Sequence, residues 1–301
     1  MTRVGDAERP AAEREVRRTY EVPDGILLRV DPKEVLAGLP GYEVAVREVA
    51  AHPDDLHTAS GRGGRGAMRE VDSPQGPLLV REYRKGGMLR HLRGRRMHGR
   101  WRPLDELVLH RRLLALGVPV PDAVGCVIHR RATGWRGFLL LHEVEGAIDL
   151  EALLHGGDGA AGLDRKAVLH EAGRVVRLLH DAGVPHPDLH PKNLLVAPDG
   201  RVLVIDLDKA RPAAGVLSEE ARLKDLVRLG RAIEKHRLKG LRTGRKEALR
   251  FLDGYAGSAE AARLWLNHIR TRLLRGLGLR RVWWRLIGEA RPWRPARWED
   301  A

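Results

Sequence analysis

This chain is poor in cysteine, in aromatic side chains and in long apolar runs, and each shortage closes off a class of protein. One cysteine, Cys126, stands among 301 residues, so no internal disulfide can form and a reducing compartment fits. It lies in the apolar stretch Ala123 to Ile128 and is expected in the core. Aromatic residues make up 4% of the chain and no nucleic-acid-binding motif is recognisable. With so few platforms on which bases could stack, no nucleic acid is expected as a partner. Uncharged apolar residues nowhere run long enough to cross a bilayer, and the charged N-terminus lacks the apolar centre of a signal peptide. A cytoplasmic protein is expected, and no internal repeat is visible.

Positive charge is what the chain has in excess. Lys and Arg number 54 against 40 Asp and Glu, a formal charge of +14. Such a field attracts an anionic partner, whether nucleotide, nucleic acid, phospholipid surface or acidic glycan. Charge alone does not choose among them. With 43% apolar residues the chain can bury a sizeable core as one large or two small domains.

The chemistry concentrates in His186-Pro187-Asp188-Leu189-His190-Pro191-Lys192-Asn193, closely followed by Val204-Ile205-Asp206-Leu207-Asp208. In kinase-type phosphoryl transfer an Asp on a loop orients the attacking hydroxyl, an Asn five residues on holds one metal ion, and an Asp after the next hairpin holds the other. Asp188, Asn193 and Asp206 follow that order. Leu194 to Val196 reads as a short strand, Asp199-Gly200 as its turn, and Arg201 to Ile205 as a return strand apolar enough to be buried on both faces. That hairpin is expected to bring Asn193 and Asp206 together. An amide carbonyl and a carboxylate are hard oxygen donors, the ligands a magnesium ion bridging phosphate oxygens requires. A phosphotransferase using ATP and Mg2+ is the reading.

Apolar residues at Val168, Leu169, Ala172, Val175, Val176 and Leu179 predict a core-facing helix from Asp164, its N-cap, to Ala182, with Gly183 as the stop. Gly137 to Glu143 reads as a buried strand, and Val144-Glu145-Gly146 as a crossing between two lobes where adenine would meet backbone groups. Glu143 is therefore counted with the nucleotide site. Leu104 to Leu116 reads as a helix stopped by Gly117, with Glu106 near its start. A helix is also expected from Ser218 to His236, and it carries Asp225.

Nearer the N-terminus, Gly61-Arg62-Gly63-Gly64-Arg65-Gly66 contains G-x-G-x-x-G and runs into Ala67 to Val71, a turn, and Leu78 to Tyr83. A glycine loop between strands lets backbone amides approach phosphates, so Gly61, Gly63, Gly64 and Gly66 are candidate nucleotide contacts. Earlier still, a hairpin is expected around the turn Pro23-Asp24-Gly25.

Taken together, Gly64-Arg65-Gly66, the strand running through Val80-Arg81-Glu82-Tyr83-Arg84-Lys85-Gly86-Gly87, Glu106, Gly117-Val118-Pro119-Val120-Pro121, the His186 to Asn193 loop and Ile205-Asp206-Leu207-Asp208 resemble the lipopolysaccharide kinase family. This family comprises bacterial Kdo and heptose kinases, and the likeness runs from about Gly61 to about Tyr255. It implies a two-lobed, protein-kinase-like α+β fold with a small β-rich N-lobe and a mostly helical C-lobe. The expected divisions are an N-terminal extension over 1–55, the N-lobe over 56–145, the C-lobe over 146–258 and a basic Trp-containing tail over 259–301.

The resemblance also implies roles. ATP phosphorylates a hydroxyl on Kdo or another inner-core sugar, with lipopolysaccharide inner core or Kdo-lipid A as acceptor. Asp188 serves as base, His186 braces the loop, and His190 meets the γ-phosphate or stabilises the turn. Asn193 and Asp206 hold Mg2+. Arg81 stands where an ammonium normally covers the phosphates, with Glu106 as its partner and Lys85 as an alternative cation. Asp208 in place of a glycine argues against a flipping activation segment.

Two Arg-rich regions remain, Arg84 to Arg102 and the tail from Arg270 to Arg297 with Trp283, Trp284, Trp293 and Trp298. Both suit phosphorylated glycolipid and an anionic membrane surface, and for the tail the alternative is a solvated basic surface with its Trp in the core. Together with the resemblance, a peripheral position on the cytoplasmic face of the inner membrane is expected. Competing readings are a small-molecule phosphotransferase of the aminoglycoside or choline kinase type, a protein kinase, and an inert membrane-bound scaffold.

Overall fold

The structure is a computed structural model that describes residues 9–58, 69–83, 99–132, 134–156, 160, 162–237, 240–241 and 243–286, with side chains to 274 in the last helix. The chain divides into two compact units, one of residues 1–114 and 121–143, the other of residues 115–120 and 144–301.

The first unit is built on an antiparallel sheet. Its elements are α1 (Ala11–Thr19), β1 (Leu27–Val30), β2 (Glu34–Gly38), α2 (Glu43–Ala51), β3 (His57–Thr58), β4 (Arg69–Val71), β5 (Leu78–Glu82), α3 (Arg102–Ala115), β6 (Ala123–Arg131) and β7 (Gly134–His142). The strand order is β1-β2-β6-β7-β5-β4-β3. Alternation along the central strands sends side chains to opposite faces. Cys126, Ile128, Leu139 and Leu141 join Leu104 and Leu107 of α3 on one side. Val127, Phe138 and Leu140 join Ala45, Val46 and Val49 of α2 on the other. With helices on both faces, β6 and β7 need no polar side, which explains their unbroken apolar runs. Cys126 is buried, and burial pushes its thiol pKa up, so it is a core residue.

The N-terminal stretch is more structured than its sequence indicated. The β1–β2 hairpin turns at Asp31 to Glu34, where each residue's N–H meets the other's carbonyl, rather than at Pro23-Asp24-Gly25. That earlier turn instead joins α1 to β1. The unanticipated β2 pairs with β6, so these residues belong to the sheet.

The second unit carries β8 (Ile148–Asp149), α4 (Leu150–His155), α5 (Arg165–Asp181), β9 (Leu194–Val196), β10 (Val202–Val204), α6 (Glu219–Arg237), α7 (Arg245–Ala256) and α8 (Ala259–Leu286). Asp164 caps α5 by accepting from the Lys166 N–H. Helices α5 and α7 meet backbone to backbone: a Cβ on Gly173 would lie 1.8 Å from the Phe251 carbonyl oxygen, and one on Gly254 would lie 1.9 Å from that of His170. Ala262, Ile269 and Leu273 of α8 are buried, so the first half of this helix is core. Among the described residues no helix is long and apolar enough to cross a membrane.

Candidate active site

In the second unit the path into the site starts at Gly183, whose φ of +78° favours glycine and where a Cβ would come within 2.3 Å of the Gly215 carbonyl oxygen. The chain then enters the segment His186 to Asn193, which ends in a single 3-10 turn, Pro191–Asn193. The β9–β10 hairpin follows. Its register pairs Val204 with Leu194 and Val202 with Val196, and a bond from the Ile205 N–H to the Asn193 carbonyl (3.0 Å) closes its open end. The Asp199-Gly200 turn lets Leu194–Val196 and Val202–Val204 pair, and this bonds Asn193 to Ile205, the residue directly before Asp206.

His186 is the hub. Its Nε2 donates to the Ile205 carbonyl at 3.0 Å, and its Nδ1 accepts from the Asp188 N–H at 3.3 Å. A carbonyl can only accept and an N–H can only donate, so these partners fix one neutral tautomer. Burial holds the ring pKa below its ordinary value, against the opposing pull of the Ile205 carbonyl and of Asp206, Asp225 and Asp188. The ring therefore joins the loop to the segment carrying Asp206. From below, the buried Asp225 of α6 accepts the His186 N–H through Oδ2 (2.6 Å) and Arg228 through Oδ1 (2.8 Å). A carboxylate taking a backbone N–H and a guanidinium makes charge-assisted bonds, stronger than neutral ones.

The three side chains expected to do chemistry differ in exposure. Asp188 has 49% of its side chain open to solvent and His190 has 31%, their carboxylate and ring 4.0 Å apart. Asn193 is buried and gives its Nδ2 hydrogen to the Asp188 carbonyl at 2.9 Å. That bond commits the nitrogen end of the amide and leaves the oxygen, a hard donor, as the end suited to a cation. Asp206 sits at φ +63°, a left-handed conformation that Asp tolerates better than most residues but that still costs energy.

In the first unit Arg81 on β5 and Glu106 on α3 form an ion pair, and the Tyr83 hydroxyl donates to the same Glu106 oxygen. Burial would raise the Glu106 carboxyl, but Arg81, His110 and Tyr83 outweigh it and hold the pKa at about 2. His110 gives Nδ1–H to the Pro121 carbonyl (2.8 Å), and its Nε2 lies 3.7 Å from Glu106. Arg81 thus does pair as a lysine would. Glu143, half-buried, is the last residue of this unit. Gly61, Gly63, Gly64, Gly66 and Lys85 lie outside the described residues.

Some partners went unread in the sequence. Tyr83 directly follows β5, two residues after Arg81 and bonded to the Gly137 carbonyl of β7, and the two-residue alternation of extended chain was the available signal for it. Arg228, one turn from Asp225, was readable in the same way. The Ile205 carbonyl has no side-chain signature.

Residues 55–255 match the lipopolysaccharide kinase (Kdo/WaaP) family. A protein of Xanthomonas campestris pv. campestris (strain B100) named 3-deoxy-D-manno-octulosonic acid kinase is 34% identical over 189 residues, covering 60% of this chain and 70% of that one. A protein of the same name from Xylella fastidiosa (strain M12) is 30% identical over 179 residues, covering 58% and 69%. The solved structure of WaaP in complex with acyl carrier protein matches with a TM-score of 0.50 at 21% identity, covering 83% of this chain and 98% of that one. At that identity the likeness speaks for the fold, a protein-kinase-like one. With its family match spanning both units and relatives of 34% and 30% identity named for this activity, this chain belongs to the lipopolysaccharide kinase (Kdo/WaaP) family of phosphotransferases.

Proposed function

We propose that the chain transfers the terminal phosphate of ATP to a hydroxyl of a 3-deoxy-D-manno-octulosonic acid residue in the inner core of lipopolysaccharide. The observation carrying this reading is the loop from His186 to Asn193, held by the Ile205 carbonyl and by Asp225. It occurs in a chain whose relatives bear the name of that sugar's kinase.

Asp188, half exposed, orients the sugar hydroxyl and takes its proton as the oxygen attacks the γ-phosphorus; the bond to the bridging oxygen breaks and ADP leaves. His186 holds the loop, and His190 meets the γ-phosphate. The Asn193 amide oxygen and the Asp206 carboxylate would hold Mg2+, which when bound neutralises charge on the phosphate oxygens. Arg81, kept in place by Glu106, supplies a planar cation for phosphate oxygens. Backbone amides of Gly61 to Gly66 serve the same anion, and Glu143 belongs to the adenine end. The basic, Trp-containing C-terminal stretch would meet the anionic lipid that carries the acceptor, on the cytoplasmic face of the inner membrane.

Incubating the purified chain with ATP, Mg2+ and separate acceptors tests the substrate class. Phosphate is expected on Kdo-lipid A. Transfer to an aminoglycoside with none to Kdo-lipid A or heptosylated core would reject the reading.

A further inference from the structure

We propose that Glu151, His155 and His236 form a binding site for one divalent transition-metal ion of the zinc type, joining α4 to the end of α6. The site lies wholly within the second unit and shares no residue with the phosphotransferase machinery assigned above.

Glu151 and His155 are four residues apart on α4, so they rise from one face of the helix. Asp149 caps that helix through the Ala152 N–H, and Gly156 ends it at φ +71°, so its two donors are set by a short, well-defined turn. His236 comes from the last turn of α6. Potential ligand atoms of the three residues all lie within 4.8 Å of one another. Glu151 Oε2 and His236 Nε2 are already 3.0 Å apart. Ligand atoms about 2.0–2.1 Å from a tetrahedral zinc stand roughly 3.3–3.5 Å from each other, so that edge of the polyhedron is nearly in place. The two imidazole rings stand edge to face, 6.0 Å between centres. His155 is exposed, so its side chain has room to turn toward the other two.

The carboxylate has an outer partner as well. Its other oxygen, Oε1, accepts Lys192 Nζ at 3.2 Å, the kind of second contact that orients a metal-bound carboxylate. Two imidazoles and a carboxylate favour zinc, cobalt or nickel over magnesium or calcium, which prefer oxygen alone. Three protein ligands leave a position for water. Lys192 directly precedes Asn193, so an ion fixing Glu151 would also steady the loop through this lysine, as a positioning contact.

The test uses the full untagged chain, stripped with a chelator and titrated with Co2+, followed by its visible ligand-field absorption and by thermal unfolding. One Co2+ per chain, displaced by Zn2+ and raising the unfolding midpoint, is expected. His155→Ala, at an exposed position, should weaken binding by more than about tenfold, since even an outer contact of a metal site is worth that much. The double variant His155→Ala/His236→Ala should bind none. Absence of Co2+ uptake by the wild-type chain would mean an ion pair only and overturn the proposal, as would equal binding by the double variant. No kinase assay enters, so the outcome is independent of the phosphotransferase reading.

Discussion

Glu106 shows how one buried carboxylate can stay ionised: Arg81, His110 and Tyr83 surround it and hold its pKa at about 2, against an ordinary 4.5. Between those values the unfolded chain carries a proton that the folded chain does not. The stabilisation is therefore complete above about 4.5 and is lost as pH falls toward about 2, by roughly 3 kcal/mol in all. Urea unfolding across this range should show that slope, and Glu106→Gln should flatten it. A variant as acid-sensitive as the wild type would show that the pair does not carry it. Asp206 makes a second residue-scale case, because its left-handed backbone and its carboxylate make separate demands. Asp206→Asn keeps a side chain suited to φ +63° and should unfold near the wild-type temperature while phosphate transfer falls by orders of magnitude. Asp206→Ala should lose activity and also about 1 kcal/mol or more of stability. Equal unfolding temperatures for the two would remove the strain argument.

At the level of elements, legibility followed how local the signal was. The β9–β10 hairpin could be read because Asp199-Gly200 sits between two apolar runs, and α5 because its apolar residues recur at helical spacing behind a capping Asp164. The His186 to Asn193 loop was visible because its residues are contiguous. The N-terminal hairpin was misplaced because two turns compete there: Pro23-Asp24-Gly25 is the stronger signal, yet the strands pair across Pro32-Lys33. Helices α1 and α2, each of 9 residues, were too short to stand out. The α5–α7 crossing could not be read at all, since no single sequence says which glycine meets which carbonyl. It carries a prediction of its own. Gly254→Ala would drive a methyl group into the His170 carbonyl, 1.9 Å from where its Cβ must sit, and backbone can relieve this only by parting the helices. A loss of at least about 1–3 kcal/mol, the usual range for an overpacked site, is expected by chemical denaturation. An unchanged midpoint would show that the helices do not meet there.

For the whole molecule, the +14 charge matches the anionic character of the proposed nucleotide and glycolipid substrates, and the family match extends across both compact units. Composition pointed to an anionic partner without naming it. Motif order pointed to phosphoryl transfer, and the geometry shows how the segment is held: a neutral His186 binds the loop to the Asp206 segment while Asp225 holds it from α6. The central claim is that this loop moves phosphate and that Asp188 handles the proton. The most direct measurement is transfer of labelled phosphate from ATP to Kdo-lipid A by the wild-type chain and by Asp188→Ala, with unfolding temperatures recorded alongside. The account predicts Mg2+-dependent labelling by the wild type, and a loss of at least about a hundredfold in a variant that remains folded, the lower range of general-base catalysis. Labelling by Asp188→Ala at the wild-type rate would contradict it.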